Sequence, residues 1–138
     1  MSGGDFIASA HSTSTGAHWA QSIRLGKHTI VADEPEPHGG KDAGAAPFAL
    51  VLAGLAACTA MTLEMYAERK GWRVGEVKVD LRMFREGETE RVERKITITE
   101  SIPEDQRARL AEIAAKTPVT KSLKQTFVIE TEIVVKGT

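Results

Sequence analysis

Residues 48–63 read Phe-Ala-Leu-Val-Leu-Ala-Gly-Leu-Ala-Ala-Cys-Thr-Ala-Met-Thr-Leu, without a single charged side chain. A helix of this composition is apolar on every side, so it needs cover on every side. Pro47 suits the first position of such a helix and Gly71 the position just past its end, which predicts a helix over 47–71. From Glu64 onward it turns amphipathic, with Glu64, Glu68, Arg69 and Lys70 facing water. The uncharged run is shorter than the ~20 residues that span a bilayer, so the helix reads as the centre of a folded domain. One small sheet supplies less cover than it needs, and a homodimer would supply the rest.

The remainder of the chain reads as strands and short helices around this element. Residues 6–9, 19–25 and 29–32 are predicted strands of a meander, separated by Ser14-Thr15-Gly16 and Gly26-Lys27. Residues 34–44 form a loop by composition. Residues 77–84 alternate, with Val77, Val79, Leu81 and Met83 inward and Lys78, Asp80 and Arg82 outward. Residues 92–98 do likewise, joined across Glu86-Gly87-Glu88. A helix over 103–116 opens on Glu104 and Asp105, and Pro118 breaks it before a short helical segment to Lys124. A final strand over 127–135 completes the order β-β-β-α-β-β-α-β, which argues for an α+β fold with an antiparallel sheet around a long buried central helix. No linker divides the chain, so a single domain over 1–138 is expected.

Composition narrows the function classes. The 138 residues carry 18 Lys+Arg against 19 Asp+Glu, a net charge of −1, so neither nucleic acid nor a membrane surface is expected as a partner. The first 30 residues are polar and lack the apolar core of a secretory signal, which makes the cytoplasm the expected location. One cysteine, Cys58, excludes an internal disulfide and a cysteine-rich zinc site. His11, His18, His28 and His38 show no metal-ligand spacing, Gly39-Gly40 lacks a phosphate-loop pattern, and neither metal nor cofactor is expected. The mixed-sign run 82–94 reads as the solvated face of a hairpin.

Cys58 admits two readings. It is a small core hydrophobe, or it is a reactive thiol that draws a cation or hydrogen-bonding group from elsewhere in the chain or from a second subunit. Helical spacing sets it on a face with Leu55, Met61, Thr62 and Met65, none of them charged. His18 is a candidate for the activating cation, and the methionines are candidates for lining an apolar pocket.

The segment Asp33-Glu34-Pro35 through Gly39-Gly40-Lys41-Asp42, followed by residues 47–71 with Ala56-Ala57-Cys58-Thr59-Ala60-Met61-Thr62 at their centre, resembles the OsmC/Ohr family of osmotically inducible and organic-hydroperoxide-resistance proteins. Residues 77–82, 96–99 and Lys116-Thr117-Pro118-Val119-Thr120-Lys121-Ser122-Leu123 extend the resemblance over nearly the whole chain from about Trp19. It implies an α+β fold in an intertwined homodimer with sites at the subunit interface. It also implies that Cys58 attacks the O–O bond of an organic hydroperoxide to give a sulfenic acid, which a second cysteine resolves and an external thiol reduces. Three positions depart from that pattern. Thr117 occupies the place of the resolving cysteine, Phe48 the place of a glutamate after the helix-opening proline, and Thr15-Gly16-Ala17-His18 the turn where the peroxidase branch carries an arginine. Arg24 is the only arginine before Arg69. The expectation is one-cysteine peroxide reduction, with a non-catalytic dimer that binds a small apolar ligand as the alternative.

Overall fold

A three-stranded antiparallel meander opens the chain in the computed structural model, which describes residues 4–137. Its strands are β1 (His11–Ser14), β2 (Gln21–Leu25) and β3 (His28–Ala32), in spatial order β1-β2-β3. The register runs His11↔Arg24 to Ser14↔Gln21 and then Gln21↔Ala32 to Leu25↔His28. The first strand was expected at 6–9 and lies instead at His11–Ser14. Hydrogen-bonded closure of the turn, from Thr15 N–H to the Ala20 carbonyl, pairs the polar His-Ser-Thr-Ser segment and leaves Phe6 and Ile7 exposed. Turn geometry outweighed hydrophobicity in setting this strand.

A loop with a single 3₁₀ turn (Glu36–His38) follows, and Asp33 organises it. The Asp33 carboxylate is almost fully buried and accepts the backbone N–H groups of Glu34, Lys41 and Ala43 at 2.8, 3.1 and 3.1 Å. The chain folds back so closely that a Cβ on Gly40 would lie 2.0 Å from the Glu34 carbonyl oxygen, so only glycine fits there.

The long helix α1 (Pro47–Lys70) ends as its sequence predicts. Gly71 adopts φ 72°, Trp72 N–H reaches the Ala67 carbonyl, and Gly71 N–H reaches Glu68, the paired bonds of a Schellman cap. Two compact units, Met1–Ala53 and Gly54–Thr138, meet within this helix. The second unit holds an antiparallel hairpin of β4 (Val77–Glu86) and β5 (Thr89–Ile98), then α2 (Glu104–Ala114) and α3 (Pro118–Leu123). Its core is Leu63, Ala67, Val74, Leu110 and Ala114, flanked by Val77, Ile96, Ile98 and Ile113. The inward alternation of Val77, Val79, Leu81 and Met83 is as expected.

Two expectations are revised. Within the chain α1 buries one stripe, Leu55, Thr59, Leu63 and Ala67, while Met61 and Met65 remain 59% and 54% exposed. All-round apolar composition states a need for cover, and one hairpin and one helix meet it on one side. Residues 127–135 form no strand: Val128, Ile129 and Ile133 are exposed, because alternation gives a segment a face to bury but not a neighbour to pair with. At 24 residues α1 is also long and apolar enough to cross a bilayer by length and composition.

The three backbone N–H groups, Ala43's foremost, hold the Asp33 carboxyl below its ordinary pKa against the opposing effect of burial. A carboxyl lowered in the folded state adds stability above its unfolded value, ~3.9, and loses it as pH falls through the lower folded value. Asp33→Asn should therefore be less stable than the parent chain at pH 7, with a gap that shrinks below about pH 4. Urea denaturation at pH 7 and pH 3 measures it, and a gap that widens on acidification would contradict the assignment.

Candidate functional site

Cys58 lies on α1, half-buried, with its Sγ 3.9 Å from the Thr62 hydroxyl one turn on. Sequence spacing places these two residues on one helix face, and the structure brings them into contact. Met61 stands beside them, exposed. Among the described residues the Thr62 hydroxyl is the one polar partner of the sulfur. The face therefore offers a thiol at an apolar surface with a weak hydroxyl neighbour.

The next residue, Thr59, turns inward and is fully buried. Its hydroxyl donates to the Leu55 carbonyl at 2.7 Å and accepts from Arg94 Nη1 at 2.9 Å. The same Nη1 donates to the Thr120 hydroxyl at 2.8 Å, and Nη2 donates to the Ala114 carbonyl at 3.0 Å. One guanidinium thus joins α1, β5, the end of α2 and the start of α3. Its charge also sits at the carboxyl-terminal end of α2, where the helix dipole favours a cation. Arg94 belongs to the mixed-sign run expected to be solvated, and that reading is corrected at this one residue. Arg85, Arg91 and their glutamates do lie on the exposed face. Parity carried the missed signal: Val92, Arg94, Ile96 and Ile98 share one side of β5, and its charge alone marked Arg94 as outward.

Thr117, in the place of the resolving cysteine, is 1% exposed and hydrogen-bonds the Thr120 hydroxyl at 2.7 Å. It belongs to the Arg94 network rather than to any contact with sulfur. The other expected residues fall in the first unit. His18 adopts φ 54°, stacks on Trp19 with ring centroids 4.4 Å apart, and donates Nε2–H to the Gly39 carbonyl at 2.9 Å. Arg24 lies on β2 between His11 and Thr29, and Phe48 occupies the first turn of α1 with its ring 55% exposed. No group of three or more His, Cys, Asp or Glu side chains that could hold a metal ion gathers among the described residues.

Comparison with known proteins bears on this geometry. The family described as OsmC-like protein matches residues 39–132, a span from the Gly39-Gly40 loop through the Arg94 network to Thr117 and beyond. Three crystal structures share the fold at low identity. A Psychrobacter arcticus protein proposed to serve an osmotic stress and detoxification response is 19% identical, with TM-score 0.73 and coverage of 86% of this chain and 89% of that one. An OsmC-like protein from Mycoplasma pneumoniae is 18% identical, with TM-score 0.68 and coverage of 87% and 89%. An organic hydroperoxide resistance protein from Legionella pneumophila is 16% identical, with TM-score 0.64 and coverage of 86% and 90%. No curated protein sequence matches the chain.

The Arg94 network predicts the effect of removing its buried acceptor. Thr59→Val keeps the shape of the side chain but leaves one N–H of a charged group unpaired, at a cost of about 1.5–3 kcal/mol. Thr59→Ser should retain most of the stability. Urea midpoints measure both, and equal midpoints for Val and Ser would show that the bond contributes nothing.

Proposed function

The chain belongs to the OsmC-like family, and from that premise we propose that it reduces organic hydroperoxides with Cys58 as its single working thiol. The Cys58 thiolate attacks the distal peroxide oxygen and the O–O bond breaks. The alcohol leaves with a proton, and the sulfur, oxidised by two electrons, becomes a sulfenic acid. One external thiol condenses with it to a mixed disulfide, releasing water. A second thiol returns Cys58 and departs as the external disulfide. No internal cysteine takes part, because Thr117 stands where one would be needed.

The observation that carries this reading is a half-buried thiol on the apolar, incompletely covered face of α1, in contact with a hydroxyl. Met61 and Met65 beside it favour an organic over an inorganic peroxide, since adaptable thioethers solvate an alkyl tail. A cation or hydrogen-bond donor near the sulfur would favour the thiolate, and the Thr62 hydroxyl is the polar group in contact with it.

Cumene hydroperoxide followed by a sulfenic-acid trap should label Cys58, and turnover with a dithiol should exceed that of Cys58→Ser at least tenfold. Absence of both adduct and turnover would rule out the activity. That outcome would leave the second reading, a non-catalytic dimer binding a small apolar ligand. The observation favouring this alternative is that the hydroxyl of Thr117 is committed to a buried structural network.

Either reading uses a homodimer. The uncovered face of α1 and the exposed, alternating 127–135 segment together present apolar surface of the kind that marks an interface. Sedimentation should give twice the 14.9 kDa chain mass. Met61→Asp combined with Ile129→Asp should shift the protein to monomer, and an unchanged dimer would place the interface elsewhere.

A further inference from the structure

The geometry points to a second binding site on this chain, separate from the thiol: a pocket built on Arg94 that takes a small carboxylate with an apolar tail. Among the described residues Arg94 differs from the arginines that lie within ion-pair distance of a glutamate, Arg85, Arg91, Arg107 and Arg109. All three of its partners are neutral oxygens: Thr59 Oγ1, Thr120 Oγ1 and the Ala114 carbonyl. The α2 dipole offsets about half a unit of its charge, and among the described residues no carboxylate lies within ion-pair distance to neutralise the rest.

The guanidinium is both held and unfinished. It has five N–H donors, and three are used in these bonds, which leaves Nε–H and one Nη2–H. The residue is half-buried and no unpartnered side-chain nitrogen is sealed off in the protein, so Nε is open to a ligand. Three bonds fix the plane of the group in advance, so a bound anion would not have to order it.

Arg94 lines a cavity of about 480 Å³ in the second unit, a volume in the ordinary range for small-molecule sites. Leu55, Val92 and Leu123 give it apolar walls, and Lys124 adds a second cation. Glu90, its one acid, is held at 3.0 Å by Arg85. Two cations without carboxylate partners beside three aliphatic side chains select a ligand with one compact negative end and a hydrocarbon body. A bare phosphate would leave the walls wet, and a neutral alkane would leave the guanidinium unpaired. The site belongs to Thr59's side of α1 and does not depend on the chemistry of Cys58.

Octanoate is the probe, with octanol and inorganic phosphate as controls, titrated calorimetrically into the full-length protein. Octanoate should bind saturably, at least tenfold more tightly than octanol or phosphate. Val92→Glu sets a fixed carboxylate in the pocket and Lys124→Glu reverses its second charge. Both alter the pocket lining at residues that make none of the three Arg94 bonds, and each should weaken octanoate at least tenfold. Cys58→Ser should bind as the parent does, which separates this site from the thiol surface. The assignment is overturned if octanoate does not saturate, if octanol or phosphate equals it, or if both glutamate variants bind it unchanged.

Discussion

The second unit is organised by one cation among neutral oxygens. Arg94 donates to a hydroxyl on α1, a hydroxyl on α3 and the last carbonyl of α2, so three helices take their mutual positions from one strand residue. Apolar packing through Leu63, Ala67 and Leu110 supplies non-directional cohesion, which fixes proximity better than it fixes rotation. Hydrogen bonds at 2.8–3.0 Å fix rotation. With Thr59 pinned inward, the next residue back along α1 is turned about 100° away. The half-exposure of Cys58 and its contact with Thr62 follow from that turn.

The first unit uses the opposite charge in the same manner. Asp33 gathers three backbone N–H groups and so closes a proline- and glycine-rich loop that has little apolar surface of its own. His18 then bonds to that loop at Gly39. Both charges are stabilised by directed dipoles rather than by ion pairs.

The helix that dominates the sequence is half provided for within the chain. One stripe meets the hairpin and α2, and the opposite side, with Met61 and Met65, keeps its apolar surface in view. Sulfur sits at the edge of that surface. That incompleteness leaves a thiol beside exposed apolar surface. Thr117, one turn before Thr120, is buried and joins the same hydroxyl network.

Local patterns read well from the sequence. Pro47 and Gly71 bracket α1, the alternation of 77–84 gives β4 its inward face, and Pro118 divides α2 from α3, because caps and side-chain periods act over one or two turns of chain. The motif around Cys58 carried the family. Strand pairing was less legible: β1 lies at His11–Ser14 because a turn hydrogen bond selects it, and 127–135 alternates without a neighbour. Arg94 was the costliest omission, since its inward parity on β5 was visible while its charge argued for water. The sequence by itself determined where the helices and the β4–β5 hairpin lie, where the helices end and which residue bears the thiol, because these follow from neighbours within a few positions. Only the tertiary structure decided that a guanidinium belongs inside. The oxygens that make its burial tolerable come from Thr59, Ala114 and Thr120, which lie 35, 20 and 26 residues away along the chain.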